Sequence, residues 1–162
     1  MVGVIVLPSG RWDWTLAWVY LGLMVIGRTA IHIAVRIVHP GLNERRTKAG
    51  EGTKKWDRLI LGLMRIGILA IFIVAGLDAV RYGWTQLSFS WWWLGLALHV
   101  LGYFIFGWAM VHNAHFEGTV RLQSDRDHQV VDSGPYRLVR HPGYVGGILG
   151  LLGIPLLLGS LW

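Results

Sequence analysis

The chain contains no cysteine, which excludes disulfide frameworks, thiolate metal sites and redox-active thiols together. Charge is also scarce: 15% of its 162 residues are Asp, Glu, Lys or Arg, against about 25% in soluble globular domains. Acidic charge is the scarcer sign, and no glutamate follows Glu117. The opening "MVGVIVLPSGRW" has no basic stretch ahead of its apolar residues, so it does not read as a signal peptide. Internal repeats and low-complexity tracts are missing. His112, His115 and His128 are loosely spaced with no carboxylate at a matching offset, so no metal site is expected.

What fills the chain instead is apolar. Hydrophobic residues make up 54% of it, and ten tryptophans sit largely at the edges of apolar runs, where amphipathic rings favour the headgroup layer. Crossing the hydrocarbon core takes about 20 mostly apolar residues in a helix. Residues 14–38, 59–79, 91–112 and 144–162 meet that requirement, predicting an all-α, polytopic transmembrane bundle of about four spans in a single domain, residues 1–162. Residues 2–7 are too few to span. The fourth run reaches the last residue without a polar exit, which gives the expectation that the chain is cut short there.

The connecting segments differ in sign. Arg45, Arg46, Lys48, Lys54, Lys55 and Arg58 lie between the first two spans, and Arg121, Arg126, Arg137 and Arg140 lie between the last two. The opposite connection holds only Arg81 and the N-terminal arm only Arg11. The positive-inside rule therefore predicts two basic cytoplasmic loops with both termini outside. The net charge of +6 then orients the chain against anionic lipid. Neither loop interleaves aromatics for base stacking, so nucleic acid is not an expected partner.

Several ionisable groups fall inside the spans. Arg28, His32 and Arg36 recur at four-residue spacing along one helix face. Arg36 and Arg65 are close enough to the cytoplasmic edge to snorkel. Arg28 lies about 15 Å from that end, which leaves open a functional role or a tilted, shortened span. His99 reads as a hydrogen-bonded packing residue.

The densest chemistry is "GPYRLVRHPGYVG", residues 134–146. Pro142 pushes His141 out of the helical region and suits the first turn of a helix, so the last helix is expected to start there. Its free N–H groups, with Arg137, Arg140 and His141 beside them, suit an anion. Tyr136 and Tyr144 offer ring faces, and Gly143, Gly146, Gly147 and Gly150 allow a ligand or helix to approach the backbone. An interfacial anchor is the plainer alternative.

This stretch resembles the membrane methyltransferases of the isoprenylcysteine carboxyl methyltransferase and phospholipid methyltransferase superfamily. Their Gly-x-Tyr followed by Arg-His-Pro-x-Tyr-x-Gly is matched by Gly134-Pro135-Tyr136 and by residues 140–146. The resemblance implies methyl transfer from S-adenosylmethionine to a lipid-like or prenylated acceptor, by carboxyl O- or amine N-methylation, at the cytoplasmic face. It implies a cofactor wall of Gln123, His128, Gln129, Val130, Val131, Tyr136, His141, Pro142, Gly143 and Tyr144. Arg140 and His141 are the implied catalytic pair, Arg140 for positioning and charge and His141 for a proton on an amine acceptor. The family's later Arg and Glu-Glu element has no counterpart here, which leaves the activity of the chain as given open. An NADPH-dependent sterol-type reductase is a rival reading, disfavoured by Gly143 where that family has Asn; a non-catalytic membrane protein is another.

Overall fold

A computed structural model describes residues 2–47, 54–116, 118 and 130–162. All the regular structure among them is helical. Helix α1 (Val2–Ser9) is followed by α2 (Thr15–Val38), the short α3 (Leu42–Thr47), α4 (Lys55–Gly76), α5 (Phe89–His112) and α6 (Pro142–Leu157). A π-helical turn, Leu77–Tyr82, extends α4, and a 3-10 turn, Gly134–Arg137, precedes α6.

Local sequence sets the boundaries. Helix α2 stops where Pro40 forces His39 out of the helical region, to φ −130° and ψ 78°, and Gly41 turns the chain at φ 83°. The same device opens α6, where His141 stands at φ −132° and ψ 64° ahead of Pro142. Both boundaries fall where the prolines predict them.

Among the described residues, three helices are long and apolar enough to cross a membrane: α2, α4 with its π-helical extension, and α5. The fourth expected span is shorter. Helix α6 has 16 residues, or about 24 Å of rise, against a hydrocarbon core of about 30 Å. Pro155 lies in its last turn, and Gly159 at φ 81° reverses the chain. The apolar run beyond Leu157 therefore folds back instead of continuing as helix.

That return is fastened by a buried polar clamp. Asp78, fully buried in the π-helical turn, accepts a 2.5 Å hydrogen bond from Ser160 Oγ and a 2.7 Å bond from the Thr85 N–H. Around this end of the bundle, Ile5, Tyr20, Phe72, Ile154 and Leu157 form the larger apolar core. A smaller cluster, Val35, Leu42 and Met110, with Phe106 and Phe116 against it, closes the end that carries α3.

The closest helix pair is α5 with α6. Glycines make it possible: a Cβ at Gly95 would lie 2.9 Å from the Leu157 backbone nitrogen, and one at Gly153 2.6 Å from the Gly95 carbonyl oxygen. Such small-residue contacts let backbones touch where no hydrophobic effect drives helices together. Large apolar side chains such as Ile26, Ile37 and Phe104 point outward, the arrangement expected of a lipid-facing surface.

Candidate functional site

Two features concern α6: an exposed cationic edge at its start and a cavity, farther along it, between the helices. The edge is positioned by the 3-10 turn. Gly134 adopts φ 56° with its α-carbon against the His112 ring, where a side chain would collide. His112 is itself held by Nδ1–H donating to the Trp108 carbonyl at 3.0 Å. Tyr136 then reaches back to α5: its hydroxyl accepts from Asn113 Nδ2 at 3.0 Å and donates to the Ala109 carbonyl at 3.4 Å. Burial raises the Tyr136 phenol above its ordinary pKa, against the opposing pull of the Asn113 bond and the Arg46 charge.

The residues singled out in the sequence separate into groups. Pro142 and Gly143 are buried, and a Cβ at Gly143 would lie 2.5 Å from the Phe116 ring. Arg140, His141 and Tyr144 are exposed, with the His141 and Tyr144 rings 5.5 Å apart. Val130 is exposed and Val131 half-buried. Gln123, His128 and Gln129 lie outside the described residues. Structure thus brings Arg140, His141 and Tyr144 together on one edge, whereas Tyr136 serves as a brace with its hydroxyl already engaged.

The edge offers groups suited to two parts of S-adenosylmethionine, its carboxylate and its adenine ring. Arg137 and Arg140 are exposed beside the α6 N-terminus, where the dipole and free N–H groups favour a carboxylate. His141 and Tyr144 present the aromatic faces that an adenine ring can stack on. These residues fit the group as one wall.

The cavity has a volume of about 700 Å³ and is lined by α2, α3, α4, α5 and α6. Gly147 and Gly150 contribute bare backbone to it; a Cβ at either would meet nothing within 4 Å. By contrast, Gly146 is consumed by helix contact, its would-be Cβ 2.6 Å from the Phe106 nitrogen. So the glycines of the motif divide between packing, at Gly143 and Gly146, and leaving space, at Gly147 and Gly150.

Polar groups gather on this cavity that sequence reasoning left unassigned or passed over. Arg28 and His32 line it from α2, Asn43 and Arg46 from α3, and His99 and Tyr103 from α5. The spacing of Arg28 with His32 signalled a shared face; His99 and Tyr103, also four apart, carried the same signal unread. Arg46 anchors the α3 end: Nη1 donates to the Phe116 carbonyl at 2.8 Å, and its guanidinium stands 4.7 Å from the Phe116 ring centre. Burial lowers its pKa from the ordinary arginine value, yet a guanidinium stays charged. Arg36 and Arg65 are exposed and do not line the cavity.

Among the described residues, no group of histidines and carboxylates has the arrangement of a metal centre. Comparison with known proteins gives a family match. The family model described as phospholipid methyltransferase matches residues 90–162, which takes in α5, the 3-10 turn and α6. The resemblance read from the Arg-His-Pro motif therefore holds for that part of the chain. No curated protein and no solved structure matches.

Proposed function

We propose, from the premise that residues 90–162 match the phospholipid methyltransferase family, that this membrane protein transfers a methyl group from S-adenosylmethionine to a lipid-like or prenylated acceptor. The observation that carries the reading is the family match falling on the segment that holds the cationic edge, at the start of α6, and on the two helices, α5 and α6, that form one wall of the cavity. The basic connections between α2 and α4 and between α5 and α6 favour a cytoplasmic edge.

In this reading the cofactor supplies an electrophilic methyl group on a sulfonium. The protein's part is geometry, since near-attack positioning alone contributes roughly 7–11 kcal/mol. Arg140 neutralises and orients a carboxylate, either the cofactor's or an acceptor's, and the α6 N-terminus adds its dipole. His141, on the same edge, takes the proton that an amine acceptor must lose. Apolar side chains of the cavity, among them Ile68 and Leu151, hold the acceptor's chain and exclude water.

The test is transfer of radiolabelled methyl from S-adenosylmethionine into the lipid phase by the protein in nanodiscs, with calorimetric titration of the same cofactor. Expected outcomes are label in lipid and measurable binding, both lost in the Arg140→Ala, His141→Ala double variant. Absence of label and of binding heat in the parent chain overturns the reading.

A further inference from the structure

The end of the cavity away from α3 carries groups that methyl transfer at the α6 edge does not use. His99, 3% exposed, lines it from the middle of α5. Its Nδ1 lies 3.1 Å from the Gly150 carbonyl oxygen, and a carbonyl only accepts, so Nδ1 bears the hydrogen and Nε2 presents a lone pair. Nε2 is buried with no hydrogen-bond partner. Buried polar atoms are nearly always paired, and an unpaired one calls for an explanation such as a bound molecule.

The surroundings narrow what that molecule is. Tyr103 packs 4.7 Å from the His99 ring and Tyr20 5.5 Å from it. Tyr103 is seated directly on α2, since a Cβ at Gly27 would lie 2.6 Å from its ring. Arg28, within electrostatic reach of both phenols, has no ion-pair partner among the described residues. Among the described residues, no aspartate or glutamate lines the cavity. An ammonium ion therefore meets a cation with nothing to neutralise it. A carboxylate satisfies Arg28 but sets its own lone pairs against that of Nε2. A hydroxyl suits both, donating its hydrogen to Nε2 while its oxygen accepts from Arg28 or a phenol.

We infer that this cavity binds a bilayer-soluble hydroxyl compound, an alcohol or phenol on an apolar skeleton, with its hydroxyl on His99 Nε2. The volume, about 700 Å³, is in the range of small-molecule sites. Arg28 and Thr29 on α2 and Met64 on α4 line the cavity yet are exposed, so its mouth opens sideways between those helices, where a hydrophobic ligand enters from lipid. The inference concerns the His99 end of the cavity that, in the proposed reading, also holds the acceptor's chain, and its test reads binding alone, so it can fail without touching methyl transfer.

The test is equilibrium dialysis of para-nonylphenol, its methyl ether, nonylamine and nonanoic acid against the protein in nanodiscs, with empty nanodiscs subtracted. The phenol binds about tenfold more tightly than the ether, the worth of one hydrogen bond to a buried acceptor, and more tightly than amine or acid. His99→Phe brings phenol and ether to equal affinity. His99→Gln, which keeps a donor for Gly150 and an acceptor for the ligand, retains most of the preference. Should His99→Phe fail to give a cooperative melt, the parent and His99→Gln ratios decide. Equal phenol and ether affinity in the parent, an unchanged ratio in a folded His99→Phe, or preference for the acid or amine each overturns the inference.

Discussion

Substituting alanine at Gly102 and, separately, at Gly147 tests whether α5 and α6 truly meet backbone to backbone. A Cβ at Gly102 would lie 2.6 Å from the Gly146 carbonyl oxygen and 2.8 Å from the Gly150 α-carbon, and closer still to the Gly150 nitrogen. All three are backbone atoms that no rotamer change can move. Comfortable carbon contacts need about 3.5–4.0 Å, so α6 must retreat by roughly 1 Å, loosening the contacts at Gly95, Gly146 and Gly153 as well. Overpacking of this kind costs about 1–3 kcal/mol, offset by up to about 1 kcal/mol from alanine's better helix propensity. At Gly147 nothing lies within 4 Å of the added carbon, leaving only the propensity gain. With about 2–4 °C per kcal/mol for a chain of this size, a net loss of up to about 2 kcal/mol makes Gly102→Ala melt up to roughly 8 °C below the parent, and Gly147→Ala melts at or slightly above it. Circular dichroism melts in one detergent measure both. A Gly102→Ala protein as stable as the parent, beside a destabilised Gly147→Ala, would falsify the packing described for these helices.

Other perturbations probe the remaining contacts. Asp78→Ala leaves the Thr85 N–H without its acceptor and takes from Ser160 its short bond across the bundle; a loss of about 1–3 kcal/mol is expected, read as a lower melt and faster carboxypeptidase trimming. Arg46→Lys should cost about 1–2 kcal/mol despite the retained charge, because an ammonium cannot hold the Phe116 carbonyl while lying flat on that residue's ring; thermal unfolding of Arg46→Lys and Arg46→Ala compares the two losses. The raised pKa of Tyr136 means that the folded state holds the phenolic proton more tightly than the unfolded chain does. Its stabilisation is complete below about pH 10, the unfolded value, and is lost as pH rises through the folded value; Tyr136→Phe should remove that part of the alkaline slope in urea midpoints. Because the chain has no cysteine, Lys55→Cys and Gln86→Cys can be labelled singly in sealed vesicles. The orientation proposed here requires an impermeant maleimide to reach them from opposite sides, Lys55→Cys from the cytoplasmic one.

How far the fold was legible follows from which forces are local. Pro40 and Pro142 act on the residue before them, and the ends they predict are the ends observed. Apolar length identified α2, α4 and α5 for the same reason, since a bilayer demands it of each helix separately. The final run misled because leucines continue through residue 158 while the helix does not. What ends it is Gly159 together with a hydrogen bond from Ser160 to a residue 82 positions earlier, Asp78. No window of sequence around Ser160 contains that partner.

The site was legible in proportion to how much of it lies on one segment. Residues 134–146 displayed their cations, rings and glycines in a row, and structure keeps Arg140, His141 and Tyr144 on one edge. Which glycine does what depended on the neighbour each one meets: Phe116 fills the space at Gly143 and α5 that at Gly146, while Gly147 and Gly150 face the cavity. His99 shows the limit most sharply. On α5 alone it is one polar residue in an apolar helix, for which packing is the sound reading, and its Nδ1 bond to Gly150 supports that reading. Its second nitrogen acquires meaning only once α2 brings Arg28 and Tyr20 to the same cavity, because a lone pair without a donor becomes a demand on a ligand only where there is room for one.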